Sequence, residues 1–160
     1  MAKISIIMGS QSDLETVNET INVLKEFKVD FEAKVLSAHR TPKEVVQYVE
    51  AAPKRGTKVF IAAAGMSAAL AGAVAAHTTL PVIGVPIETK NLKGLDSLLS
   101  TVQMPPGIPV ACMSIGKPGA KNAALLALEI LGISDAKISA KLVNYKKQMR
   151  LKIKKTKIKV

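Results

Sequence analysis

Short β-rich apolar runs alternate with runs of helical period along nearly the whole of this 160-residue chain. No other feature limits the possible folds so sharply, because a strand that recurs after each helix has to return to the same edge of one sheet. Strands are expected near residues 3–8, 31–36, 58–63, 82–86 and 109–114. Helices are expected near 12–27, 42–54, 67–77, 94–102, 119–131 and 135–153. Crossovers through helices make neighbouring strands parallel and the connections right-handed.

The fold class that follows is α/β: a three-layer, flavodoxin-like sandwich with a five-stranded parallel sheet and an extra C-terminal helix. In such sheets ligands bind beyond the carboxyl ends of the strands, near the point where strand order reverses. Three turns should meet there. The first, Gly9-Ser10-Gln11-Ser12-Asp13, feeds hydroxyls and free N–H groups into a helix start, as an anion site requires. The second, Ser37-Ala38-His39-Arg40-Thr41-Pro42, sets an imidazole able to carry a proton beside a guanidinium suited to phosphate or carboxylate. The third, Ala63-Ala64-Gly65-Met66-Ser67, offers small side chains that let a ligand approach the backbone. Taken singly, each of the first two turns is equally a capped helix start, with Ser12, Asp13, Ser37 and Thr41 as caps. Their convergence on one edge favours chemistry at His39.

Composition narrows the partners. Three Phe, two Tyr and no Trp leave few platforms for stacking bases. The net charge of +11 is uneven, since ten Lys and Arg residues lie after Asp135 and the other 135 residues carry 13 basic against 12 acidic. A near-neutral body with a Lys-rich tail argues for a solvated helix face, and nucleic acid is not expected as a partner. One cysteine, Cys112, excludes an internal disulfide and fits a cytoplasmic location; its apolar surroundings mark it as a small buried hydrophobe. Met1 leads straight into the first strand, so no leader peptide is expected. The uncharged stretch Val59–Ala76 is rich in Ala and Gly and reads as a buried strand turning into a packed helix, with no membrane partner implied. His77 reads as a helix-end residue, and Lys117 and Lys121 as part of a helix start. No His, Cys, Asp and Glu cluster has metal-ligand spacing, so no metal is expected.

The chain is expected to divide into a single α/β catalytic domain, 1–134, and a basic C-terminal helix and tail, 135–160. The run Asn122–Leu131 is apolar around most of its circumference, and the last helix aligns Ile138, Leu142, Tyr145 and Met149. Both features point to a homo-oligomer with the terminal helix docked on a neighbouring subunit. Beyond Lys152 the helix is expected to fray.

The two polar turns, together with Leu80-Pro81-Val82-Ile83-Gly84-Val85-Pro86, Asp96-Ser97-Leu98-Leu99-Ser100 and Gln103-Met104-Pro105-Pro106-Gly107-Ile108-Pro109, closely resemble the PurE family over residues 3 to 131. That resemblance implies a cofactor-free N5-carboxyaminoimidazole ribonucleotide mutase of purine biosynthesis. The carboxylate would move from the exocyclic nitrogen to ring carbon C4, through CO2 released and recaptured in a closed pocket. It implies His39 as the proton carrier, Ser12, Ser37 and Arg40 as phosphate contacts, and Asp13 as the ribose-hydroxyl acceptor. Ser10 and the Ala64-Gly65 backbone would lie around the migrating carboxylate, and the assembly would be an octamer. One departure stands out. Where the family's mutases show a glycine pair followed by Ala-His-Leu-Pro-Gly, this chain has Gly65-Met66-Ser67-Ala68-Ala69-Leu70-Ala71-Gly72, with Ala69 and Ala71 in place of the usual His and Pro. Two alternatives therefore stay open. One is a carboxylase that fixes free CO2 on aminoimidazole ribonucleotide, which Arg40 and the 96–109 segment disfavour. The other is a phosphosugar-binding module whose basic tail recruits nucleic acid.

Overall fold

The computed structural model describes residues 3–156, and the expected fraying beyond Lys152 falls partly outside them. Its five strands are β1 (Ile4–Met8), β2 (Phe31–Val35), β3 (Val59–Ala64), β4 (Val82–Pro86) and β5 (Ala111–Cys112). The helices are α1 (Leu14–Phe27), α2 (Pro42–Ala51), α3 (Leu70–Ala76), α4 (Leu95–Val102), α5 (Gly116–Gly132) and α6 (Ala136–Lys155). All pairings are parallel, in the order β2-β1-β3-β4-β5. That order is the flavodoxin-like one, and it reverses direction between β1 and β3.

The chain forms two compact units, one up to Ala127 and one from Leu128 onward. In the first, the central strands β1, β3 and β4 are buried on both faces, which explains their unbroken apolar character. On one face Ile7, Phe60, Ala62 and Val82 pack with Val45 and Val49 of α2 and with Leu70, Ala71 and Val74 of α3. Strand alternation turns Ile6, Ile61 and Ile83, all buried, the other way. Thr20 of α1 ties that helix to α5 by donating its hydroxyl to the Ala120 carbonyl at 2.7 Å. In the second unit Asp135 caps α6, accepting from the N–H groups of Lys137 and Ile138 at 3.1 and 3.3 Å, and Lys146 pairs with Glu129 at 2.8 Å. Of the expected stripe, Ile138 and Leu142 are buried, Tyr145 is half-buried and Met149 is exposed.

Three local expectations need correction. The Ala-rich helix starts at Leu70, three residues late, because Met66 sits at φ +58° and residues 66–69 form tight turns, with the Ala68 N–H bonded to the Met66 carbonyl. The last strand shrinks to two residues, since Pro109 has no N–H for a ladder and β5 has a single neighbour. Cys112 is accordingly half-buried rather than enclosed, and burial still pushes its thiol up, away from nucleophilic duty. His77 ends α3 as expected, with its Nδ1 3.6 Å from Glu50 Oε1.

Candidate active site

The turn after β1 is wound by reciprocal capping. Ser10 Oγ accepts from the Ser12 N–H at 3.4 Å, and Asp13 Oδ2 accepts from the Ser10 N–H at 2.9 Å. The Ser12 hydroxyl lies 3.0 Å from Ser10 Oγ and remains exposed. The side-chain cap is thus Ser10 with Asp13 as its reciprocal partner, not Ser12, and the same bonds hold two hydroxyls at the sheet edge.

The turn after β2 closes on itself. The Thr41 hydroxyl donates to the Ser37 carbonyl at 3.1 Å and accepts from the Ser37 N–H at 2.9 Å, which leaves exposed His39 at the apex of the loop. Arg40 ties this turn to the first one: its Nη2 donates to the Gly9 carbonyl at 2.8 Å, and its Nε and backbone N–H both reach Ser37 Oγ, at 3.4 and 3.2 Å. Those bonds aim the guanidinium while leaving N–H groups for an anion.

At the third turn the Ile87 N–H bonds the Ala64 carbonyl at 2.9 Å, which extends the β3–β4 ladder by one residue. A Cβ on Gly65 would sit 3.2 Å from Thr89 Cγ2 and 3.5 Å from Ile87 Cβ, so glycine lets the turn pack closely against the segment after β4. Met66 takes the place of the second glycine of the usual pair and keeps a left-handed backbone, which costs a side-chain-bearing residue roughly 1 kcal/mol.

These turns enclose a cavity of about 640 Å³, within the usual range for small-molecule sites. Ser10, Ser12, Asp13, Ser37, His39, Arg40, Ala64 and Gly65 all line it. Sequence reasoning missed the fourth wall, Ile87-Glu88-Thr89 after β4. The rule that ligands gather at strand carboxyl ends applied to β4 as well, and the charged Glu88 directly after an apolar run was the available signal. Ala69 also lines the cavity, and His39 is its one histidine. No group of three or more potential metal ligands occurs among the described residues, nor is any helix there long and apolar enough to cross a membrane.

Asp13 is only 6% exposed, and burial raises its carboxyl above the ordinary aspartate value despite the Ser10 and Ser12 hydrogen bonds and the nearby Arg40. The native state therefore holds this proton more tightly than the unfolded chain. The associated stability is present below the ordinary value of 3.8 and is lost as pH rises through the raised native value. Asp13→Asn, which keeps an acceptor and removes the buried charge, is expected to melt at the same or a higher temperature at pH 7. Thermal melts of both proteins across the acidic range check the sign: the variant should gain relative to the parent as pH rises.

A flavodoxin-like sheet carrying a hydroxyl- and arginine-lined cavity at its strand-order reversal defines an α/β protein whose cavity is chemically suited to a small anion. Comparison with known proteins sharpens that class. The AIR carboxylase family model matches residues 3–152. A Saccharolobus solfataricus protein named N5-carboxyaminoimidazole ribonucleotide mutase is 55% identical over 94% of each chain. A Pyrococcus abyssi protein of the same name is 57% identical over 94% of this chain and 85% of its own. The crystal structure of Treponema denticola PurE superposes with a TM-score of 0.85 at 30% identity, covering 94% of this chain and 92% of that one. The chain belongs to the AIR carboxylase, or PurE, family.

Proposed function

We propose that the protein is an N5-carboxyaminoimidazole ribonucleotide mutase, a cytoplasmic isomerase that needs no cofactor. The observation that carries this reading is the meeting of His39 with Ser12, Ser37 and Arg40 around one cavity, in a chain more than half identical to proteins named for that reaction. Ser12, Ser37 and Arg40 hold the phosphate, Asp13 accepts from the ribose hydroxyls, and Ser10 with the Ala64-Gly65 backbone flanks the carboxylate. Protonated His39 gives its proton to the exocyclic nitrogen as the N–C bond breaks and CO2 leaves. Carbon C4 then attacks CO2, and its hydrogen returns to the imidazole. One proton is given and one is taken, so a single histidine suffices.

Ala69 keeps the carboxylase alternative specific, because no second imidazole faces the cavity. Offering the protein each ribonucleotide with and without bicarbonate separates the two. Turnover of the N-carboxylated substrate independent of bicarbonate is expected. Product formed only from aminoimidazole ribonucleotide plus CO2 would establish the carboxylase instead.

The same reading includes a homo-octamer, with residues 1–134 as the catalytic domain and the 135–160 segment docked on a neighbour. The unusual polarity of α4 supports subunit contact. Its buried side is polar, with the Ser97 hydroxyl bonded to the Ile87 and Gly94 carbonyls at 2.8 and 2.9 Å and the Thr101 hydroxyl to Ser97 at 2.7 Å. Its outer side shows Leu95, Leu99 and Val102, each about half exposed. An inside-out helix of this kind is stable when a second surface covers the leucines. Sedimentation of the Leu95→Lys, Leu99→Lys double variant should show smaller species than the parent; an unchanged assembly would remove α4 from the interface.

A further inference from the structure

The cavity wall carries two carboxylates that differ in their bonding. Asp13 is buried and accepts from Ser10. Glu88 is exposed and makes no hydrogen bond or ion pair with any described residue. Its backbone, by contrast, is tightly placed. The β3–β4 ladder ends at Pro86 opposite Ala64, and the following Ile87 N–H still bonds the Ala64 carbonyl, so Glu88 stands one residue past the last sheet bond, near Gly65. Gly94, at φ +86°, approaches so closely that a Cβ there would lie 3.2 Å from Glu88 Cα and 2.5 Å from Ile115 Cγ2. Thr89, next in sequence, turns its hydroxyl to the Asp96 carboxylate at 3.4 Å. A carboxylate with a fixed base and a free head thus lines the cavity that also holds the Ser12, Ser37 and Arg40 donors.

An ionised carboxylate only accepts hydrogen bonds. Standing after β4, with β1 and β3 between it and the Arg40 turn after β2, it disfavours any ligand that lacks a donor on this side. We propose that Glu88 is a specificity-determining residue that accepts a hydrogen bond from the exocyclic nitrogen of the imidazole ribonucleotide. This deepens the mutase reading and rests on it. The chemistry suits the reaction direction: the N-carboxylated substrate has one N–H at that nitrogen, and the C4-carboxylated product has two. A fixed acceptor therefore holds the amine that forms as CO2 departs, and it selects 5-amino imidazoles over imidazoles bare at that carbon.

The test is calorimetric titration of the full-length protein, Glu88→Ala and Glu88→Gln with two ligands, aminoimidazole ribonucleotide and the same nucleotide without its amino group. The parent should prefer the amino compound by about tenfold to a hundredfold, the usual range for a hydrogen bond to a charged group. Glu88→Ala should bring the two affinities together while leaving the des-amino compound as well bound as before or better. Glu88→Gln, which keeps a neutral acceptor, should restore part of the preference. Unchanged discrimination in Glu88→Ala, or equal weakening of both ligands as a ribose contact would give, overturns the assignment and leaves the mutase reading standing. A parent that binds neither nucleotide overturns both.

Discussion

Replacing His39 with asparagine is expected to lower kcat for the carboxylate transfer by a factor of roughly 10² to 10⁴, the range a positioned acid–base group supplies. Nucleotide affinity should change little. His39 stands exposed at the apex of a loop whose shape comes from the Ser37–Thr41 bonds and from Arg40 reaching Gly9, and none of those bonds involves the imidazole. Asparagine can occupy the apex without disturbing the anion contacts, but it has no group that both gives and takes a proton near neutral pH. With no other imidazole on the cavity wall, nothing in the site takes over the exchange. Rapid-mixing assays of turnover beside equilibrium titration of nucleotide separate the two quantities. Near-normal turnover in a variant that binds nucleotide normally would remove His39 from the proton path.

Gly119→Ala is expected to cost about 3 kcal/mol of stability, at the upper end of the usual penalty for overpacking. A Cβ at Gly119 would collide with the carbonyl oxygen of Ser114, whose carbonyl carbon lies only 2.7 Å away. Both obstacles are backbone, so no side-chain rotation relieves them. The turn between β5 and the start of α5 would have to open. That turn has little to spare, because β5 pairs over two residues and its only extension is the Met113 N–H bonded to the Gly84 carbonyl at 2.9 Å. For a chain of this length the loss corresponds to a fall of about 6–12 °C in Tm. Calorimetric unfolding of the variant checks it, and an unchanged midpoint would mean that the turn yields easily.

The architecture was legible because it depends on periodicity. Central strands buried on both faces must be continuously apolar, and the amphipathic α1 and α2 must show helical spacing, so β1, β3, β4 and their connecting helices could be read directly. Errors gathered where local geometry overrides pattern. The late start of α3 follows from the left-handed backbone at Met66, a residue type that gives no warning of it. The short β5 follows from its place at the sheet edge, which spacing alone does not reveal. The pairing of His77 with Glu50 depends on the juxtaposition of two helices far apart in sequence.

The site divides in the same way. Its chemistry-bearing residues sit in two short polar turns, and a histidine beside an arginine is visible in one dimension. What the chain alone could not show is which atoms are already spent. Asp13 is both a cap for its own turn and a charge held at a cost, a duality that appears only when its burial is known. Glu88 lies about fifty residues beyond His39 with no motif around it, and it reaches the cavity because β4 lies beside β3 with its carboxyl end at the same edge.

By itself, then, the sequence determined the parallel α/β sheet, the two polar turns and the place of His39, since hydrophobic period and turn chemistry are local properties of a chain. Only the tertiary structure decided the fourth wall of the cavity, the free head of Glu88, the buried charge on Asp13 and the inverted polarity of α4. Each of these depends on which distant atoms exclude water from a group or supply its hydrogen bonds, and that is a property of packing in three dimensions.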